Sequence, residues 1–571
     1  MSNVAIALIL REIADLLEIK GDNPFKIRAY RNAADIVGNH PHALAVLDAA
    51  QLREIPGIGK DLAVRIRDIA TTGDTAVHRE LIAEFPARIL DLLGLQGVGP
   101  KTVAVFYRDL GVRSLADLER AAADGRIRAL KGMGAKKEAL ILKALEERRR
   151  RTGRLLLSDA DAIATSLIAY LQDAVPGAGL TPVGSLRRGR DTCGDLDLLA
   201  TDGDASLMDA FVRAPRVERV LARGETKSSV LFDRAFQADL RLVPAESRGA
   251  ALQYFTGSKA HNIALRDRAV GFDCKLNEYG LFRLSDEARL AGESEEAVYR
   301  SLGLDWIAPE LREGRGEIEA AATGRLPRLI QRSDLKGDLH MHTSETDGSD
   351  DIRAMATAAR ESGLDYIAIT DHSQALAMAN GLNEERALAH ASRIRAVDRD
   401  GGIRVLAGIE CDIKPDGTLD LADDCLAALD YVVASVHSAF NQDQRQMTDR
   451  LVRAIACPYV DVIGHPTGRL LLRRDPYPVD MEALVDAAVK HGVALEINAQ
   501  PHRLDLNDAH AILARERGAS LVISSDAHSR TGLAALRWGV AVARRAWLEP
   551  AHVLNSRPFE DFKAALRRNR Q

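Results

Sequence analysis

Long apolar runs are missing from this 571-residue chain, and no stretch approaches the roughly 18 residues that a membrane helix needs. With 46% hydrophobic and 28% charged residues, the composition is that expected of a soluble globular protein with no membrane partner. The opening segment MSNVAIALILREIADLLEIK has neither a basic n-region nor a small-residue cleavage site, and it predicts an amphipathic helix rather than a signal peptide. Cysteine is scarce too. Cys193, Cys274, Cys411, Cys425 and Cys457 form no CxxC pair, which argues against a disulfide framework and against a cysteine zinc site. A reducing, cytoplasmic location is the expectation. The length leaves room for three or more domains.

Strong charge of one sign is lacking overall, since the net charge is −5. Residues 95–154 depart from this, with 15 Lys/Arg against 7 Asp/Glu. Such a patch attracts polyanions, although a solvated helix face gives the same count.

What the chain does have is histidine and carboxylate in its last 236 residues, where 11 of its 15 histidines fall. Nine metal-type side chains follow one another there: His340 and His342 in DLHMHT, Asp347 in TDG, His372 in TDH, Glu410 in GIE, His437 in SVH, His465 in GHP, and Asp526 with His528 in SDAH. Short apolar runs such as DYIAIT, YVVASV, VDVIG and SLVISS precede several of them and predict buried strands that end in a ligand. Residues i and i+2 of a strand share a face, so H-x-H and D-x-H each make a two-armed clamp. Imidazole mixed with carboxylate suits Zn²⁺, Mn²⁺ or Fe²⁺ and argues against a calcium cage of oxygens. Nine ligands suit two or three ions. Strands alternating with alanine-rich helices (DIRAMATAARESG, MEALVDAAVKHG) predict a mostly parallel β/α barrel, whose site lies at the C-terminal strand ends.

The first half carries two further signals. IPGIGKDLAVRI, LQGVGPKTVAVF and LKGMGAKKEALI repeat one pattern, with glycine pairs Gly57/Gly59, Gly97/Gly99 and Gly132/Gly134 opening a helix. Glycine turns at helix N-termini expose N–H groups that hold a phosphate without reading a base. Lys101, Lys136 and Lys137 follow closely, and the three units resemble helix-hairpin-helix DNA-binding motifs. The second signal is GSLRRGRDTCGDLDLLA, within strand runs TPVGSL, DLDLLA, SSVLF and ADLRLV. Asp195 and Asp197 project from one strand face, and Asp239 is the candidate third carboxylate of a two-ion site. Gly184, Ser185 and Arg188 are placed to grip departing phosphates. Taken alone, this pattern marks nucleotidyltransferases broadly.

With ADLRLVP and QYFTGSKAHNIALRDRA added, the first half resembles the palm and thumb of family X DNA polymerases. The resemblance implies that Tyr254 and Phe255 gate against ribonucleotides, that Gly194 and Gly257 belong to the nucleotide pocket, that Asn262 touches the base's minor-groove edge, and that Arg266 reaches the template side. The C-terminal set resembles PHP (polymerase and histidinol phosphatase) domains. By that likeness one metal takes His340, His342, Glu410 and Asp526. A second shares Glu410 with His437 and His465, and a third takes Asp347, His372 and His528. One position departs from lyase-active eukaryotic relatives. Arg65 stands where they form a Schiff base through lysine, and guanidinium cannot take that role. Asp61 also replaces a phosphate-binding lysine, while Lys26 and Tyr30 match two other members of that pocket.

The implied class is multidomain: an all-α helix-hairpin-helix region, an α+β nucleotidyltransferase palm and thumb, and a distorted β/α barrel. The expected boundaries are 1–85 and 86–154 for the helical domains, 155–250 for the palm, 251–315 for the thumb, 316–335 for a linker and 336–571 for the PHP domain. The implied function is short-gap filling of DNA with metal-dependent 3′→5′ exonuclease, 3′-end cleaning and abasic-site endonuclease activity. Expected partners are gapped or nicked DNA and dNTPs. Two Mg²⁺ or Mn²⁺ ions are expected at the palm and two or three Mn²⁺, Zn²⁺ or Fe²⁺ ions in the barrel of a monomer in a bacterial cytoplasm. A DNA-binding scaffold with an inactive site, or a non-templated transferase fused to a small-phosphoester hydrolase, are the alternatives.

Overall fold

A computed structural model describes residues 3–38, 44–55, 57–86, 89–95, 98–130, 132–151, 154–232, 236–399 and 402–567. Gly97 of the second glycine pair lies outside them. The chain forms two compact units, Met1–Thr152 and Gly153–Gln571.

The first unit is helical. Its long helices are Asn3–Lys20, Pro24–Gly38, Lys60–Thr72, Ala76–Glu84, Pro100–Leu110, Leu115–Ala123 and Ala135–Arg151. Ile6, Leu10, Ile13 and Leu17 recur at helical spacing and form one buried stripe on the first helix. That stripe belongs to the same core as Ile66, Phe106 and Leu118. The boundary expected at 85/86 therefore falls inside a single core, because the first helix packs against both halves of the unit. In the hairpins the central apolar residue (Ile58, Val98, Met133) is buried. Gly59, Gly99 and Gly134 are exposed, and the helices begin directly after them.

In the second unit, β1 (Leu155–Leu156) pairs with β3 (Thr192–Cys193) beside a five-stranded sheet. That sheet comprises β2 (Gly179–Pro182), β4 (Asp195–Thr201), β5 (Val217–Arg223), β6 (Lys227–Phe232) and β7 (Phe236–Leu242), in the order β2-β4-β7-β6-β5. The run TPVGSL, expected as strand throughout, stops at Pro182. Gly184 turns the chain at φ +63° into the short helix Gly184–Arg187. A thumb follows, with helices Arg248–Thr256 and Lys259–Gly271 and a ribbon of β8 (Cys274–Asn277), β9 (Gly280–Arg283) and β10 (Arg289–Ala291).

Seven parallel strands complete the unit in sequential order: β11 (Gly337–Asp338), β12 (Tyr366–Ile369), β13 (Arg404–Asp412), β14 (Tyr431–Ser435), β15 (Val462–Ile463), β16 (Ala494–Asn498) and β17 (Leu521–Ser524). A helix follows each strand. Asp351, Asp443, Asp480 and Asn507 start four of these helices by accepting hydrogen bonds from first-turn N–H groups. A parallel bridge between Met341 and Ala527 joins the first strand to the last, so the barrel is nearly closed.

The segment 316–335 is no free linker. Its helix Glu317–Ala322 buries Ile318 in the thumb core, and the Ile330 N–H donates to Leu548 O at 2.9 Å. Ile330 and Leu335 also join a core that runs from the palm (Leu157, Leu196, Phe236) into the barrel (Ile369, Leu495, Ile523). Among the described residues no helix is long and apolar enough to cross a membrane.

Candidate functional site

The barrel strands are buried on both faces, apart from the start of β13. Their C-terminal ends converge, and all nine expected ligands lie there. Glu410 projects from β13, while the other eight sit on the segments that follow β11, β12, β14, β15 and β17. His465 and Asp526 hold left-handed backbone (φ +28° and +51°), a conformation that non-glycine residues keep where surrounding structure imposes it.

Glu410 is the hub. Its Oε1 lies 3.0 Å from His465 Nε2, 3.3 Å from His437 Nε2 and 3.4 Å from His340 Nε2. Its Oε2 lies 2.7 Å from His372 Nδ1 and 3.7 Å from His342 Nε2. Asp526 Oδ1 is 3.2 Å from His342 Nε2, and Asp347 Oδ2 is 3.4 Å from both His372 Nε2 and His528 Nε2. Three groups have donor atoms all within 4.8 Å of one another: His340, His342 and Asp526; His372, Glu410 and His437; His342, Asp347, His372 and His528. His342 and His372 thus each face two groups, a sharing that the family-implied partition does not contain.

The donor set fits divalent ions. His340 Nε2, both nitrogens of His342, His372 Nδ1 and His465 Nδ1 are buried without a well-formed hydrogen bond, and several of them face carboxylate oxygens that offer no proton to a ring lone pair. Burial depresses His372 and His437, but Glu410, with Asp347 beside the first and Asp412 beside the second, outweighs it and lifts them to about 10 and about 9. Burial, together with neighbouring His372 and His528, pushes His342 down to about 4. Cations that replace protons relieve both strains. Outer partners hold the rings. Glu496 Oε1 is 2.7 Å from His340 Nδ1, Glu496 Oε2 accepts from His465 N at 2.6 Å, and Asp412 lies 3.1 Å from His437 Nδ1. Asp371, adjacent to His372 in the chain, meets His390 Nε2, Thr343 and Thr346.

In the palm, β4 and β7 run parallel with Asp197 opposite Asp239. Burial, then the nearby Asp195 and Asp239 charges, lift Asp197 to about 6. Like charges crowded this way call for a cation. Lys227 Nζ meets Asp239 Oδ2 at 3.0 Å and supplies part of it. Among the described residues the three carboxylates form no group as tight as those in the barrel. A methyl on Gly184 would stand 2.6 Å from Asp197 Oδ2, so only glycine fits beside this carboxylate. The Ser185 hydroxyl is buried with the Cys193 thiol beside it. Gly194 packs on Arg154. Arg188 Nε donates to Glu313 at 3.0 Å and its Nη1 donates to Thr256 O, next to Gly257. Tyr254 and Phe255 stand edge to face at 5.1 Å, with Arg241 4.6 Å over Phe255. Asn262 donates to Tyr254 O at 2.7 Å, and exposed Arg266 follows one turn later.

Several of these partners lie outside the sequence reading. Asp412 was legible in principle, since E-C-D places two carboxylates on one strand face. Lys227 and Glu313 carry no local signal. In the first unit, Arg65 hydrogen-bonds to Tyr30, and Lys26 pairs with Asp22 at 2.9 Å.

A carboxylate-bearing palm with a thumb, joined to a barrel with a multi-histidine metal site, defines a nucleotidyltransferase fused to a metal-dependent phosphoesterase. Comparison with known proteins agrees. Residues 1–75 match a helix-hairpin-helix domain, 89–147 a SAM-like helix-hairpin-helix tandem, 251–313 the DNA polymerase beta thumb and 338–500 the PHP domain. The "DNA polymerase/3'-5' exonuclease PolX" of Bacillus subtilis (strain 168) is 39% identical over 568 residues, covering 99% of both chains. A "probable phosphatase" from Shewanella sp. (strain ANA-3) is 30% identical over 39% of this chain and 88% of its own. The chain belongs to the PolX family of DNA polymerase/3′-5′ exonucleases.

Proposed function

We propose that this protein fills short gaps in DNA by template-directed dNTP addition at the palm and trims or cleans DNA 3′-ends in the barrel, including at abasic sites. The observation that supports this best is the coexistence in one chain of the opposed Asp197/Asp239 pair and nine converging metal-type side chains in the barrel, eight in tight groups and His465 against Glu410, in a chain that resembles PolX along almost its full length. Asp195, Asp197 and Asp239 hold two Mg²⁺ or Mn²⁺ ions, with Asp239 on the side of the primer 3′-hydroxyl. The barrel's nine ligands hold two or three Mn²⁺, Zn²⁺ or Fe²⁺ ions. Once bound, such ions neutralise phosphate oxygens and activate the attacking oxygen. Gly184, Ser185 and Arg188 grip the β,γ-phosphates, with Gly194 and Gly257 lining the pocket. Tyr254 and Phe255 read the sugar, Asn262 the base edge, and Arg266 the template side. The hairpin glycines, with Lys101, seat backbone phosphates of gapped or nicked duplex, and the protein acts as a monomer. The domain scheme is 1–85, 86–154, 155–250, 251–315 and 336–571 by function, even where cores are shared.

The test uses a one-nucleotide-gapped duplex with a labelled primer, in Mg²⁺ and in Mn²⁺, with and without dNTPs. Asp197→Ala is expected to abolish extension and spare primer shortening, and His342→Ala the reverse. Wild type that neither extends nor shortens the primer in either metal overturns the reading. The likeness of the barrel to probable phosphatases favours one second reading, hydrolysis of a small phosphomonoester, and the same preparations assayed on p-nitrophenyl phosphate decide it.

A further inference from the structure

The main chain that carries Arg188 is held by a residue of the barrel. Arg545 ends helix Leu536–Arg545, which follows the last barrel strand, and its side chain is buried. Its Nη1 donates to Arg188 O at 2.9 Å and to Glu313 Oε1 at 2.9 Å, and its Nη2 to Asp508 Oδ2 at 2.6 Å. Glu313 Oε1 also accepts from Arg188 Nε at 3.0 Å. One carboxylate oxygen thus serves a guanidinium from the palm and another from the barrel. Gly189, the next residue, has φ +63°, and a methyl there would lie 3.4 Å from Ala541 Cβ of the same barrel helix.

In this arrangement Arg188 is bound away, to Glu313 and to Thr256 O. To grip a triphosphate it must let Glu313 go. Glu313 is largely buried, and stranding its charge would be unfavourable. With Arg545 present, the carboxylate keeps a charged partner after Arg188 leaves. Arg190 Nη1 is its other cation, more distant at 3.8 Å and more exposed. We propose that Arg545 is a positioning residue for the polymerase's triphosphate pocket, lowering the cost of releasing Arg188 from Glu313, so that the barrel domain sets the affinity of the palm for nucleotide. This rests on the reading of Arg188 as a phosphate ligand.

The test is steady-state extension of the gapped primer by the full-length chain, varying dNTP. Arg545→Gln is expected to raise the KM for dNTP about tenfold, the scale of one charge-assisted hydrogen bond, with kcat and primer shortening little changed. Adding Glu313→Gln to that variant is expected to bring KM back close to wild type, because no charge then holds Arg188. A purely structural ion pair predicts no such rescue. An unchanged KM in Arg545→Gln, or a raised KM that Glu313→Gln leaves raised, overturns the proposal. If Arg545→Gln loses primer shortening as well and melts early, the pair Arg545→Lys and Arg545→Lys/Glu313→Gln carries the same comparison, with an intermediate KM expected for the first. A wild type that extends no primer instead overturns the polymerase reading itself.

Discussion

Glu410 faces five imidazoles within 3.7 Å, so its two oxygens are divided among several rings. Such a hub works only if the groups around it are held, and Glu496 holds the His340 ring through Nδ1 and the backbone of His465 through its N–H. Glu496→Gln is expected to weaken Mn²⁺ binding by roughly 10–100-fold while extension at the palm continues. Metal content after dialysis checks it, and wild-type retention of metal would sink the idea. In the thumb, Glu295 pairs with Arg187 at 2.8 Å and with fully buried Arg312 at 2.7 Å. Burial opposes its ionisation, but the two arginines prevail and hold it down to about 2, against 4.5 when free. Its folded pKa is depressed, so the stabilisation is complete above about 4.5 and fades as the pH falls toward 2. Glu295→Gln leaves Arg312 unpaired and is expected to remove about 3–5 kcal/mol at pH 7. The difference in Tm between variant and wild type should shrink on acidification to pH 3; a gap that stays constant contradicts the pairing.

At the scale of elements, the two glycines of the first and third hairpins differ, the leading one having positive φ. Gly57 has φ +91°, and a methyl there would meet Ile36 Cδ1 at 2.5 Å. Gly57→Ala is therefore a folding mutation, expected to remove about 1–2 kcal/mol or more. Nothing lies within 4 Å of a methyl built on Gly134, and its neighbourhood is open to a phosphate. Gly134→Ala is expected to leave Tm nearly unchanged and to weaken binding of gapped duplex several-fold, roughly the loss of one helix N-terminal phosphate seat. Equal effects of both variants on Tm would contradict this division. These hairpins were legible because a tight turn is a local device needing particular residues at fixed spacing. The barrel strands were legible for a related reason: both faces are covered, so each reads as a continuous apolar run. The strand assigned to TPVGSL ends at Pro182, because the backbone turns at Gly184, which lies close against the Asp197 carboxylate.

At the scale of the molecule, two compact units matter more than the five expected boundaries. Residues 1–152 share one core, and the palm and barrel share another. Calorimetry of the whole chain is expected to give two transitions, and Mn²⁺ is expected to raise only the one belonging to residues 153–571. A metal-induced rise in both, or separate melting of palm and barrel, would contradict the shared core.

The candidate residues could be picked from sequence alone: the nine metal-type side chains, the palm aspartates and the hairpin glycines are local patterns, set by strand alternation, turn chemistry and residue type. How they are shared follows from the way distant segments pack. His342 and His372 each face two ligand groups, and Arg545 reaches Arg188 across 357 residues. Pairings of that kind come from the packing of surfaces remote along the chain. No periodicity records them, because periodicity describes only the face that one element presents and not what meets it.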